Sequence, residues 1–112
     1  MNIEGEDHKI TYKNGVIRIV GNLSLMTEDY EEIEVFFGKV VESEPSELIL
    51  DMRELEYLNS SGIKTICVGL LLEADDIEGL KMKILCSSQY TWHRETIPTF
   101  RDLMDEMEII FD

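Results

Sequence analysis

The segment 57-YLNSSGIK-64 is a polar connection between two apolar runs, 48-LILDM-52 and 65-TICVGLLL-72. Aliphatic residues dominate 47-ELILDM-52, which predicts a short buried strand. On the other side, apolar residues recur at the i, i+3, i+4, i+7 spacing of a core-facing helix: Ile63, Ile66, Cys67, Leu70, Leu71 and Ala74. The polar stretch at 59–62 is therefore predicted to carry the chain from a strand into a helix.

A serine at the start of a helix has two possible uses. The first N–H groups of a helix lack partners within it and the dipole end is positive, so a phosphate there is stabilised. Ser60 or Ser61 is expected to cap this helix, and Gly62 is expected to leave the backbone open to a partner. Phosphorylation would add about −1.5 to −2 charges and need not melt the helix. Ordinary N-caps look the same, so capping and phosphorylation both stay open.

The flanking sequence predicts one α/β domain over residues 1–112. Alternation around Asn14-Gly15 in 10-ITYKNGVIRIVG-21 indicates a β-hairpin. The segment 27-TEDYEEIEVFFGKVVES-43 is typical of an amphipathic helix, which Thr27 is expected to cap. Further along, we expect a strand at 80–86, a helix at 98–105 and a strand at 107–111. The order β-β-α-β-α-β-α-β predicts a mixed sheet of about five strands with helices packed mainly on one face.

Charge and hydropathy restrict the partners. Twenty-four Asp and Glu against ten Lys and Arg give a formal charge of −14, which disfavours nucleic acid and anionic membranes. The acidity is explained either by solubility alone or by a basic protein partner. No apolar run approaches the ~20 residues of a membrane span, and 1-MNIEGEDHK-9 has no export-signal pattern. A cytoplasmic location is the resulting expectation.

Few side chains are candidates for chemistry. Cys67 and Cys86 are isolated in apolar surroundings and are expected to be core thiols. Neither His8 nor His93 has a carboxylate or cysteine at metal-ligand spacing, so no metal or cofactor is expected.

Catalysis is not expected either. Asp51 and Glu54 lie near the polar segment, but there is no catalytic triad and no glycine-rich phosphate loop. Tyr90 and Trp92 are candidates either for core packing or for an interface.

The segment 48-LILDMRELEYLNSSGIKTICVGLL-71 resembles the signature of STAS domains, the sulfate transporter and anti-sigma factor antagonist family. In that signature a hydrophobic strand leads through a polar loop to Asp-Ser-Ser/Thr-Gly and then to an aliphatic helix. The segments 16-VIRIVGNLSLMTEDYEEI-33 and 107-MEIIF-111 are similar to other parts of the family's fold. Asn59 stands where the family usually has Asp, and 87-SSQYTWHRETIPTF-100 lacks the usual Ser-Pro start.

The resemblance implies a phosphorylation switch at Ser60. In stand-alone antagonists this serine is phosphorylated by a serine kinase that is itself the anti-sigma factor, and a PP2C-type phosphatase reverses the reaction. The unphosphorylated antagonist binds the kinase, and the domain catalyses nothing. By the same resemblance the partner-binding residues would be Asn22, Leu23, Ser24, Asn59, Ser61, Gly62, Ile63 and Lys64. The simpler alternatives are that residues 22–24 only turn the chain and that Lys64 is only solvated.

Two other functions remain open. The loop 58-LNSS-61 is similar to that of a STAS-like bacterial regulator which, under a kinase and phosphatase pair, activates a diguanylate cyclase. The domain could also be an interaction module that is never phosphorylated. A monomer or a weak dimer is expected in each case.

Overall fold

A computed structural model describes residues 1–112 and contains one sheet of six strands. The strands are β1 (Asn2–Glu4), β2 (His8–Lys13), β3 (Val16–Leu23), β4 (Glu47–Leu58), β5 (Lys81–Cys86) and β6 (Met107–Phe111). They lie in chain order, antiparallel from β1 to β3 and parallel from β3 to β6. The predicted mixed sheet is confirmed with one strand more than expected, because the three residues of β1 are too few to show alternation.

Short 3₁₀ and π segments interrupt or extend the α-helices. A 3₁₀ helix (Thr27–Tyr30) leads into α1 (Glu31–Glu42). Helix α2 (Ser60–Ile66) continues through a π-helical turn (Cys67–Leu71) into α3 (Leu72–Asp75). Helix α4 (Thr91–Thr96) continues as a second 3₁₀ helix (Ile97–Leu103). The expectation that Thr27 caps the first helix is wrong, because the capping position is Met26 and no side chain caps it.

The last helical segment begins earlier than predicted. It starts at Thr91 instead of near Pro98, and Pro98 lies at the start of the 3₁₀ part. Proline cannot donate an intrahelical hydrogen bond and its ring opposes a regular α-helical turn. The chain therefore stays helical through Pro98 but changes its hydrogen-bonding pattern there.

Strand β4 is twice as long as the predicted strand at 47–52. Its pairing with β5 ends at Asp51, whereas its pairing with β3 continues to Leu58 across two register shifts. The second half of β4 thus pairs with a strand on one side only. Acids alternate with apolar residues there, which hides the strand from a search for continuous apolar runs.

The helices pack on one face of the sheet and enclose the hydrophobic core, as predicted. Core side chains such as Ile17, Leu50 and Ile84 alternate with more exposed residues on the opposite face. On that open face Asp51 is only 6% exposed because Arg53 donates to it through Nε and Nη2, at 2.9 Å each, and Arg18 lies 3.9 Å away.

The two layers differ in charge. The strands carry six of the ten Lys and Arg residues, together with six acids. The α- and 3₁₀-helices carry ten acids and only four cations. The helical layer is therefore strongly acidic, whereas the strands are electrically balanced.

Candidate functional site

Strand β4 passes into α2 at Asn59, and this residue caps the helix. Asn59 has extended backbone angles (φ −81°, ψ 174°), and its side-chain Oδ1 accepts a hydrogen bond from the Gly62 backbone N–H at 2.9 Å. This is the geometry of an N-cap residue, which satisfies a free N–H group in the first turn. The expectation that Ser60 or Ser61 caps α2 is therefore wrong.

Asn59 also connects three segments through a set of hydrogen bonds, here called the Asn59 network. Its Nδ2 donates to the Leu25 carbonyl at 2.8 Å, and the Tyr30 hydroxyl donates to Oδ1 at 2.5 Å. The Asn59 N–H bonds to the Leu23 carbonyl at 3.2 Å, and the Leu25 N–H donates to the Tyr30 hydroxyl at 3.2 Å. The end of β3, the first 3₁₀ helix and the start of α2 are thus held together.

The network explains why residue 59 is Asn rather than Asp. One side-chain atom must accept hydrogen bonds from Gly62 and Tyr30, while the other must donate to the Leu25 carbonyl. An ionised Asp has acceptors only, so one of its oxygens would face the Leu25 carbonyl without a proton between them.

The two serines are in different environments. Ser60 is the first residue of α2 and is exposed. Ser61 is half-buried; its hydroxyl shares a hydrogen bond with the Thr27 hydroxyl at 3.0 Å, and its carbonyl accepts one from Thr65. Of the two serines, Ser60 is the more exposed, and the Ser61 hydroxyl is engaged with Thr27.

Gly62 is buried. The expectation that it leaves the backbone open to a partner is therefore wrong. A Cβ atom at this position would overlap the Leu58 side chain and lie 2.7 Å from the Tyr30 hydroxyl. The physical reason for glycine here is close packing: Leu58 and Tyr30 occupy the space that a side chain would need.

The loop after β3 lies beside the start of α2. Asn22 pairs with Tyr57, and Leu23 pairs with Leu58, directly before Asn59. Asn22, Ser24 and Lys64 are exposed, Ile63 is half-buried, and Leu23 is buried beneath them. The predicted site residues are therefore close together, but Leu23 and Gly62 support the surface from below and do not form it.

Sequence reasoning missed three residues at this end of the molecule. Tyr30 belongs to the predicted amphipathic helix 27–43, and its hydroxyl joins the Asn59 network. Thr27 contacts Ser61 across the loop, and Tyr57, two residues before Asn59, is 50% exposed. An aromatic residue two positions before Asn59 was a visible signal for Tyr57, whereas neither of the other contacts has a sequence pattern.

The remaining titratable side chains have structural surroundings. Burial raises the pKa of Cys67, and burial together with the charge of Asp112 raises the pKa of Cys86 to about 11, so both thiols stay protonated at neutral pH. No group of three or more His, Cys, Asp or Glu side chains is placed to hold a metal ion. None of the helices combines the length and apolar character needed to cross a bilayer.

His93 is completely buried and bonded at both ring nitrogens. Its Nδ1 accepts from the Ser87 N–H at 3.0 Å, and its Nε2 lies 2.8 Å from the Leu55 carbonyl. The ring is thus neutral, with its proton on Nε2. Burial lowers the pKa of His93, and the bond to Leu55 and the charge of Asp112 oppose that shift only partly.

Comparison with known proteins identifies the fold. No family model matches the sequence, and no curated protein gives a significant match. An anti-sigma factor antagonist from Mycobacterium paratuberculosis has a similar structure, with a TM-score of 0.62 and 17% sequence identity over 90% of this chain and 83% of that one. The two chains share a fold. At this identity the likeness supports the STAS resemblance at the level of the fold alone.

Proposed function

We propose that this chain is a non-catalytic regulatory switch protein of the anti-sigma factor antagonist kind, controlled by reversible phosphorylation of Ser60. The observation that carries the proposal is the contrast between the two serines. Ser60 is exposed at the first position of α2, whereas Ser61 is engaged with Thr27. The fold shared with an anti-sigma factor antagonist supports the same general function.

The partner in this proposal is a serine kinase that is also the anti-sigma factor. It contacts the exposed residues Asn22, Ser24, Ser60 and Lys64, with Ile63 at the margin. The packing of Leu23, Asn59, Ser61 and Gly62 keeps that surface in shape.

A phosphate on Ser60 would be buried on binding. Lys64 is the one basic side chain of α2, four residues further along the chain, and it belongs to the same contact surface. Burying a charge without a partner costs about 2 to 5 kcal/mol, enough to end a moderate interaction.

A PP2C-type phosphatase would restore the binding form, and the switch would operate in the cytoplasm. A second candidate output is control of a diguanylate cyclase, which the loop 58-LNSS-61 favours by its similarity to a regulator of that type. Both outputs use the same serine. Capture of either a sigma-factor system or a cyclase by the unphosphorylated protein would distinguish them.

The first experiment is intact mass measurement and phosphosite mapping of the protein purified from its own cells. A phosphate within residues 54–64, lost in Ser60→Ala, is expected. Ser60→Asp should then weaken partner binding about tenfold or more relative to Ser60→Ala. Ser46→Asp, which adds the same charge at another exposed serine, is the control. Equal affinities of Ser60→Ala and Ser60→Asp would instead identify an interaction module without a phosphorylation switch.

A further inference from the structure

A groove of about 440 Å³ lies between α1 and the helical segment from α2 to α3. One end is formed by Thr27 and Ser61, which are hydrogen-bonded, and the other by Glu42 and Glu73. Each helical segment contributes side chains at roughly three- and four-residue intervals, so the walls are the facing stripes of two neighbouring helices.

The groove exists because glycines stand where these helices face each other. A Cβ atom at Gly38 would have no heavy atom within 4 Å, and one at Gly69 would reach the side chains of Glu34 and Phe37 only at 3.8 and 3.9 Å. The hydrophobic core is therefore closed beneath the groove, while the space above it is unfilled. Glycine inside a helix is less stable than alanine. Neither Gly38 nor Gly69 is therefore explained by the stability of the fold.

The lining combines apolar surface with negative charge. Val41 and Val68 supply the apolar part, and Val68 is 50% exposed. Glu34, Glu42 and Glu73 stand along the walls against a single cation, Lys64. The first 3₁₀ helix, α1 and the α2–α3 segment together hold eight acids and two cations. A second copy of this chain would bring an equally acidic helical layer and be repelled.

We propose that this groove binds an amphipathic helix of a partner protein, with Lys or Arg side chains on its polar face. The apolar side of such a helix would cover Val41 and Val68, and its cations would meet the three glutamates. Helix binding in a groove between two helices is a common mode of recognition. The proposal goes beyond the switch at Ser60, which does not line the groove, although Ser61 and Lys64 belong to both surfaces.

The test uses the full-length ¹⁵N-labelled protein and a synthetic peptide of about 14 residues, about four helical turns. The peptide carries Lys on one face and Leu and Ala on the other; a second peptide has Glu in place of Lys. At about 0.15 M salt, where unspecific attraction is largely screened, the Lys peptide should shift the amide signals of Gly38 and Gly69 most strongly, and the Glu peptide should shift none. Signals shifted evenly over the acidic surface, or no binding at millimolar peptide, would overturn the proposal.

Variants separate the groove from the overall charge. Gly38→Leu extends a side chain into the groove from a position where its Cβ meets no heavy atom within 4 Å, so we expect it to fold with a melting temperature close to that of the wild type and to bind the Lys peptide at least about tenfold more weakly. Glu34→Lys should also weaken binding, whereas Glu95→Lys makes the same charge change on α4 and should not. Ser60→Asp should leave peptide affinity within about twofold, since surface charges interact weakly. Equal losses in Glu34→Lys and Glu95→Lys, or full binding by Gly38→Leu, would refute the groove.

Discussion

Asn59 holds three segments together with a side chain that differs from aspartate by one nitrogen. Asn59→Asp keeps the helix cap, because Asp is as good an N-cap as Asn, but it removes the donor to the Leu25 carbonyl. We expect a loss of about 1 to 3 kcal/mol in the free energy of unfolding at neutral pH. Denaturant titration measures it, with Asn22→Asp at an exposed position as the control.

The same variant gives a check on the cause. Protonation would return a donor to residue 59, so the gap between Asn59→Asp and the wild type should narrow as the pH falls toward about 4, where the carboxyl of the unfolded chain titrates. A gap that stays constant with pH would assign the loss to packing and not to the missing hydrogen bond.

Gly62 and Gly38 offer a matched pair of substitutions. Gly62→Ala places a methyl group against Leu58 and the Tyr30 hydroxyl, and should destabilise the protein by about 1 to 3 kcal/mol. Gly38 lies within α1, and a methyl group there has no heavy atom within 4 Å, so Gly38→Ala should stabilise the protein by about 0.5 to 1 kcal/mol. Thermal unfolding measures both, and a loss at Gly38 as large as at Gly62 would contradict the packing argument.

At the scale of single residues, the sequence predicts where a residue lies in a strand or helix better than it predicts the hydrogen bonds that the residue forms. The spacing around 59–62 correctly predicts a strand-to-helix connection with Ser60 at the helix start. It assigns the cap to a serine, because Ser, Asn and Asp are near equal as caps. The choice of Asn59 depends on the Leu25 carbonyl and the Tyr30 hydroxyl, 34 and 29 residues away in the chain.

At the scale of elements, α4 supports the part of β4 that extends beyond β5. Past the end of that pairing, the Leu55 carbonyl bonds with His93 and the Glu56 carbonyl accepts from Trp92 Nε1, both at 2.8 Å. Backbone groups left without a neighbouring strand are otherwise open to pairing with another chain. The two side chains therefore protect this edge as a strand would.

His93 makes this attachment sensitive to acid. Its folded-state pKa is lowered, chiefly by burial, so the neutral ring stabilises the fold above its ordinary pKa of about 6.5. That contribution is lost as the pH falls below about 6.5, because the unfolded chain then binds a proton that the folded one resists. Unfolding titrations from pH 7.5 to about 5 should show a decline that His93→Gln largely removes, although this variant is less stable at pH 7.5. An identical decline in both proteins would exclude His93 as its source.

Element prediction from sequence succeeds where the hydrophobic pattern is local. The α1 pattern and the hairpin at Asn14-Gly15 are correct because spacing and turn residues specify them within a few positions. The second half of β4 and the start of α4 are missed because they stabilise each other. The hydrogen bonds that join them connect residues 36 and 38 positions apart in the chain. No local window contains that information.

At the scale of the whole molecule, charge repulsion within the helical layer opposes folding. Screening should relieve it, so the melting temperature is expected to rise between about 10 mM and 0.5 M NaCl. The double variant Glu34→Lys, Glu73→Lys should show a smaller rise, because it reverses two charges in that layer. A falling melting temperature would mean that ion pairs such as Arg53–Asp51 outweigh the repulsion.

The unequal distribution of charge between strands and helices makes the electric field outside the helical layer more negative than the field outside the sheet. Such a body experiences a torque in the field of a cationic surface and turns before it arrives. Because fields extend about 8 to 10 Å at physiological salt, this rotation occurs while water still separates the two proteins. We therefore expect a basic partner to approach the helical layer more often than the sheet.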